Sequence, residues 1–396
     1  MIAKKMQALG ERRSVIREIF EYGKTRRAEI GAENVFDFSL GNPSVPAPDE
    51  VNEALIRLLK EESSVALHGY TSAQGDAGVR AAIADYLNRT YGTEVRATDL
   101  YMTVGAAASL SAVLSALSGP GEEVIAIAPF FPEYRVFTEQ TGASLRVVPA
   151  DEENFEISFE GVEAALCEKT AALIINSPNN PSGAVISQES LSRLADILRR
   201  AEERYGHPIY LIADEPYREL VYDGVTVPYP TKYYDDTVVC YSFSKSLSLP
   251  GERIGYVLVS PSAKDHDALY AAVCGAGRSL GYVCAPSLFQ HLIPHVLGKV
   301  SDLAVYKENR DLLYGGLAEA GFTVKKPDGA FYLFMKSPEP DAGAFCERAK
   351  KYELLLVPGD DFACPGYVRI AYCVSTDQIR RSLPAFRALA KEYGLS

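Results

Sequence analysis

The sequence predicts an α/β protein, a mostly parallel sheet covered by helices on both faces, followed by a smaller α+β unit. Three observations lead there. Short apolar runs alternate with helix-period segments between about residues 100 and 260, the pattern of a sheet buried on both sides. The texture changes after about Ala318 to shorter, mixed elements. Residues able to carry chemistry collect just past the carboxyl ends of the apolar runs, where such sheets bind ligands.

Taken in order, residues 1–33 are charged with helical spacing, and residues 35–40 alternate like a short strand. The rigid stretch 41–48, rich in proline, reads as a crossing between two domains or as a plain surface loop, and Asp49 opens a helix to about Glu61. A glycine-bearing loop at 68–75 precedes a helix at about 77–90. Strand candidates follow at 100–104, 123–128, 145–149, 171–176, 209–213, 237–243 and 255–260, with a helix at 188–204 capped by Ser187. A long helical region is expected over 287–318. Shorter elements come next at 323–324, 330–335, 342–352, 354–357 and 367–373, then a final helix from about Asp377. The expected division is a large domain at 46–296 and a small one made of 1–45 with 297–396.

Composition narrows the function. The 396 residues are 47% hydrophobic and 23% charged, as in ordinary globular proteins. A net charge of -12 without a basic stripe argues against nucleic acid or an anionic membrane as partner. No apolar run approaches the ~20 residues of a membrane span, and the charged N-terminus has no apolar signal core. Seven cysteines, an odd number without CxxC spacing, read as reduced thiols of a cytoplasmic protein. The five histidines lack metal-binding spacing; His291 and His295 share a helix face, but without a third ligand nearby in sequence they read as structural, and no metal is expected.

Four segments carry candidate chemistry. In Tyr241-Ser242-Phe243-Ser244-Lys245 an apolar run ends on two serines and a lysine, with Arg253 eight residues on. A lysine where a buried strand meets a loop can have a desolvated amine able to form a Schiff base; alone, it reads equally as a solvated loop residue. Asp214 ends a strand in Ala213-Asp214-Glu215-Pro216-Tyr217, and by itself would be a turn residue. In Ser177-Pro178-Asn179-Asn180-Pro181-Ser182-Gly183 two prolines stiffen the backbone around Asn180. Gly105 between a strand and a helix N-terminus makes an anion site, or an ordinary βα turn.

In order and spacing these segments resemble the fold-type I, pyridoxal-phosphate-dependent aminotransferases of class I/II, the aspartate aminotransferase family. The resemblance runs from Gly41-Asn42-Pro43 to Tyr367-Val368-Arg369-Ile370. It implies a three-layer α/β/α large domain with a mostly parallel seven-stranded sheet, a smaller α+β domain, and pyridoxal 5′-phosphate as cofactor. Lys245 would hold the cofactor through a Schiff base and later shuttle the α-proton. Asp214 would pair with the pyridine nitrogen, Tyr217 and Asn180 with the 3′ oxygen, and Phe131 would stack on the ring. Gly105, Ala106, Ala107, Ser242, Ser244 and Arg253 would hold the phosphate. The family often has a polar side chain where Ala107 or Ala108 sits, so only backbone contacts remain at this turn.

Tyr70 resembles the tyrosine that reaches the phosphate of a neighbouring subunit, which implies a homodimer with shared active sites. Arg369 matches the arginine that binds the substrate α-carboxylate, with Gly41, Asn42 and Asn180 on the substrate side and Tyr332 nearby. Arg278 lies near, though one residue off, the place where dicarboxylate-specific relatives carry a second arginine from the partner subunit; a surface ion pair is the alternative. The expected function is transfer of an α-amino group from an L-amino acid to a 2-oxo acid, aspartate or glutamate being candidates. A C–S β-lyase, or a lyase resembling aminocyclopropane carboxylate synthase, would use nearly the same cofactor residues. A cofactor-sensing transcription regulator would need a DNA-binding domain that residues 1–40 are too short to supply.

Overall fold

The computed structural model describes residues 2–11, 15–151 and 153–395. The helical pattern expected over residues 1–33 forms two helices, Lys4–Glu11 and Val15–Ile30, while Met1 and positions 12–14 lie outside the described residues. A two-residue strand follows, β1 (Phe36–Asp37). The main sheet is then built from β2 (Leu100–Thr103), β3 (Glu123–Ala128), β4 (Ser144–Pro149), β5 (Thr170–Asn176), β6 (Tyr210–Asp214), β7 (Thr237–Ser242) and β8 (Gly255–Val259). Their order is β2-β8-β7-β6-β5-β3-β4. Every strand runs the same way except β8, which is antiparallel to both neighbours.

Alternation along each strand sends side chains to two separate cores. Ile125, Leu173, Leu211 and Val239 face one side, where Ile83, Leu194 and Leu292 cover them from helices Ala77–Tyr91, Gln188–Tyr205 and Ser287–Val296. Val124, Ala172, Ile212 and Val238 face the other, under Val113, Tyr134 and Val273 from helices Ala106–Leu117, Glu133–Thr141 and His266–Ser279. The result is a three-layer α/β/α arrangement. Ser187 caps its helix as expected, accepting from Ser190 N.

After the sheet come β9 (Tyr332–Lys336), β10 (Leu354–Leu355), β11 (Val357–Pro358) and β12 (Tyr367–Ala371). Strands β11-β12-β9 make an antiparallel sheet, and β10 pairs in parallel with β1, so the N-terminal segment joins this unit. Its core gathers Phe38, Leu313, Phe331, Phe345 and Phe386. Val45 is buried in this core while Ala47 packs on the first, so the proline stretch is where the chain passes between the two.

Several elements differ from expectation. The helix expected over 287–318 is two, Ser287–Val296 and Leu303–Glu319, separated by a turn in which Gly298 has φ 78°. The strand expected at 354–357 splits because its first half pairs with β1 and its second with β12. At 323–324 there is one bridge, Val324 to Met335. The sequence reading also lacked the helix His266–Ser279, whose glycines disguise it. Gly277 is required there, since a Cβ would lie 2.1 Å from the Tyr101 hydroxyl. Among the described residues, no helix is long and apolar enough to cross a membrane.

Candidate active site

The parallel strands deliver their last residues to one edge of the sheet, above which lies a cleft of ≈ 920 Å³, part of it open to solvent. Asn176 ends β5 and Asp214 ends β6, and the two are register partners. Ser242 ends β7 and caps the short helix Phe243–Ser246 that carries Lys245. Because β8 is antiparallel, its first residue, Gly255, lies between Thr103 of β2 and Ser242 of β7. Arg253, just before it, is thereby set against Gly105. A Cβ on Gly105 (φ 89°) would sit 2.9 Å from the Arg253 guanidinium, so the glycine leaves room for that side chain.

Protein atoms crowd the Lys245 amine, which donates to Gly41 O at 2.7 Å. Burial pushes it down to about 8, opposed by Cys373 and aided by the Arg253 and Arg369 charges. Asp214, 4% exposed, accepts from the Tyr134 hydroxyl on Oδ2 at 2.5 Å, while Oδ1 has no partner. Burial raises this carboxyl to about 7, against the Tyr134 hydrogen bond and with a further push from Glu215. A buried carboxylate oxygen without a donor costs stability unless a ligand supplies one. Asn176 braces the region by donating to Asp214 O at 2.8 Å and accepting from Asn180 N at 2.7 Å. The turn after Asp214 is held by the buried Glu215–Arg218 pair, with Arg218 beside the stacked Tyr91 and Tyr229 rings.

On the opposite wall Arg369 projects from β12, 3% exposed, with the Tyr332 and Phe362 rings each 4.8 Å from its guanidinium carbon. It donates to Asn180 Oδ1 (3.2 Å) and Ser39 O (2.6 Å), and its Nε has no partner. The Tyr217 and Tyr332 hydroxyls meet at 3.0 Å. At the Gly105 end, the Ser242 and Ser244 hydroxyls lie 2.8 Å apart, next to the N-terminus of the helix Ala106–Leu117.

Of the residues assigned from the sequence to the cofactor and substrate, all but four line this cleft. Gly105 stands just behind it, against Arg253. Asn42 is exposed beside Gly41. Tyr70, 92% exposed, and Arg278, on the last turn of its helix, are at the surface and line no part of it. Sequence reasoning missed Tyr134 and Asn176. The signals were present: a polar residue closing an apolar strand, and a tyrosine in the first turn after the Phe130-Phe131-Pro132 bend. His291 and His295 line a separate cleft with Glu62 and Asp76, carboxylates that were not visible as neighbours in sequence. His295 is taken up by Arg57 at 2.9 Å, and among the described residues no group of three could hold a metal.

The donor set fits pyridoxal phosphate. One free carboxylate oxygen can take a ring N–H, two serines and an arginine beside a helix N-terminus suit a phosphate, and an enclosed amine shares the cleft with them. Comparison with known proteins agrees. The family model described as aminotransferase class I and II matches residues 33–386. An aspartate aminotransferase of Thermotoga maritima is 31% identical over 357 residues, 89% of this chain and 90% of that one. An aminotransferase structure from Eubacterium rectale superposes with TM-score 0.98 at 57% identity, covering 99% of each chain. Thermus thermophilus aspartate aminotransferase, solved with maleate, gives 0.86 at 27% identity over 98% of this chain and 99% of that one.

Proposed function

The chain belongs to the class I and II aminotransferases, enzymes that depend on pyridoxal phosphate, and on that premise we propose that it moves the α-amino group of an acidic L-amino acid, aspartate or glutamate, to a 2-oxo acid. The observation that carries the reading is the unpartnered Oδ1 of buried Asp214 sharing a cleft with the enclosed Lys245 amine. When bound, the cofactor supplies a ring that accepts the electron pair left as the substrate Cα–H bond breaks, and a carrier for the amino group.

The chain's own groups do the rest. Lys245, lowered by burial to about 8, gives up its proton more readily than an ordinary lysine, and its neutral amine takes the Cα proton on Nζ. Asp214 would accept the ring N–H, Asn180 and Tyr217 would bond the 3′ oxygen, and Phe131 would cover the ring. Ala106 and Ala107 backbone N–H groups, the Ser242 and Ser244 hydroxyls and Arg253 grip the phosphate, with Gly105 giving them room. Arg369 offers Nε and its remaining Nη protons to the α-carboxylate beside Gly41 and Asn42. In this division residues 46–296 bind the cofactor, while 1–45 and 297–396 clamp the substrate carboxylate.

Among the described residues the cleft's cations are Lys245, Arg253 and Arg369, each already assigned, and this reading takes the partner of a second substrate carboxylate from elsewhere. Arg278 is exposed and enters no ion pair among the described residues. We place it, with Tyr70, at a homodimer interface, where the partner's Arg278 meets the side-chain carboxylate. Exposed Ile56, Leu59 and Val65 support such an interface. The names of the aspartate aminotransferase relatives support the acidic substrate. Seven unbridged cysteines support a cytoplasmic location.

A half-reaction screen tests the function: the absorbance of bound cofactor should convert to its amino form with aspartate or glutamate and return with a 2-oxo acid. Pyruvate and ammonia from a cysteine-type substrate without an acceptor would instead establish a β-lyase. Arg278→Ala should lower kcat/KM for aspartate about 100-fold relative to alanine, the scale of losing one desolvated charge partner. Equal losses on both substrates would remove Arg278 from the site.

A further inference from the structure

Asp214 is buried at the end of β6, and among the described residues no cation pairs with it. The groups that bear on its charge are Tyr134 from the helix Glu133–Thr141, Glu215 and Tyr217 from the turn that follows β6, and Cys240 from β7. Of these Tyr134 alone donates to the carboxylate. Tyr217 is engaged with Tyr332, and Asn176 of β5 gives its amide to the Asp214 backbone oxygen instead.

Tyr134 has little freedom to do otherwise. It is 1% exposed, its ring lies parallel to Phe130 at 5.9 Å, and Phe131 meets it edge-on at the same distance. Pro132 precedes the helix on which Tyr134 stands, as its N-cap, and Tyr134 N donates to Phe131 O, so Phe131 and Tyr134 come from one turn. One residue of that turn faces the cleft and the other faces the carboxylate behind it.

We propose that Tyr134 is a positioning residue for the transfer reaction: donating to Oδ2, it favours the ionised form of Asp214 and leaves Oδ1 as the acceptor for the cleft. This rests on Asp214 being the partner of the ring nitrogen. A carboxyl buried without a cation stays ionised only if hydrogen bonds favour its charged form. Burial and the neighbouring carboxylate push the Tyr134 phenol well above its ordinary range, so it remains a donor. Were Asp214 protonated, its carboxyl would present a proton where the ring N–H needs an acceptor.

Tyr134→Phe keeps the ring and its stacking and removes the hydroxyl alone. The full-length cofactor-free protein, labelled with ¹³C at aspartate carboxyls, is titrated, and the Asp214 resonance is identified by its loss in Asp214→Asn. The Asp214 midpoint should rise by about one to two pH units in Tyr134→Phe, about 10- to 100-fold in proton affinity, the worth of one hydrogen bond to a charged group. With cofactor bound, the acid limb of kcat/KM should move the same way. A second measurement needs no variant: in the unaltered protein the Tyr134 Cζ resonance should titrate with the Asp214 midpoint. An unchanged or lowered midpoint in Tyr134→Phe, or a Tyr134 resonance indifferent to Asp214, overturns the proposal. Failure of the cofactor reading would show separately, as an Asp214→Asn protein whose bound-cofactor spectrum and activity are unaltered.

Discussion

Replacing Arg369 by lysine isolates what the guanidinium does. Of its five N–H groups, one is given to Asn180 Oδ1 and one to Ser39 O, and Nε is free. Three donors therefore remain to meet a carboxylate in two-point contact. A lysine brings three donors in all. If it satisfies the same two internal oxygens, one donor is left for the substrate, and the guanidinium's contacts with the Tyr332 and Phe362 rings are lost. The deficit is one charge-assisted hydrogen bond, about 2 kcal/mol, or about 30-fold in kcat/KM. Single-turnover absorbance of the bound cofactor, followed over a range of amino acid concentrations, measures it. A primary amine without a carboxylate is the internal control, since it never uses the lost contact. Arg369→Lys should slow the amino acid about 30-fold and leave the amine unchanged. Equal slowing of both would mean that the side chain acts on the fold or the cofactor, and the assignment to the α-carboxylate would fall.

Three more outcomes follow from the geometry. In Gly41→Ala the new Cβ would lie 1.9 Å from the Tyr332 hydroxyl, displacing it from Tyr217, so melting should report a loss of about 1–3 kcal/mol together with reduced kcat; an unchanged melting curve contradicts the close approach. Asp214 is raised to about 7 in the fold, so the folded chain binds more protons than the unfolded one between about pH 4 and 7, and stability present below that window is lost across it. Cofactor-free Asp214→Asn should therefore gain on the wild type as pH rises from 4 to 7, and parallel stability curves would refute this. Lys245 runs the opposite way: its folded value of about 8 lies below the ~10.4 of an unfolded lysine, so cofactor-free protein should gain stability relative to Lys245→Met between pH 8 and 10, and no relative gain would mean the amine is not desolvated.

What was legible in the sequence divides along a physical line. Asp214 and Lys245 could be read because each interrupts or follows an apolar strand, and a polar group at a strand end is visible one-dimensionally. Arg253 could be named as a candidate cation eight residues after Lys245, but not placed. Its place depends on β8 running antiparallel, which carries its first residue, not its last, to the ligand edge, and strand direction leaves no mark on a five-residue apolar run. Asn176 and Tyr134 depend on register and on a helix entry angle. Asn176 matters because it lies opposite Asp214, a pairing across 38 residues that hydrophobic pattern does not encode. The Gly41–Tyr332 approach joins residues from opposite ends of the chain, and only the close packing of the two cores demands a glycine there. The break at 297–302 was legible in principle, since Gly298 takes a left-handed conformation and Asp302 caps the second helix by accepting from Ala304 N. Tyr70 and Arg278 form a last class: both are exposed and neither lines the cleft, so their roles rest on the proposed second copy of the chain, which a single chain's pattern does not encode.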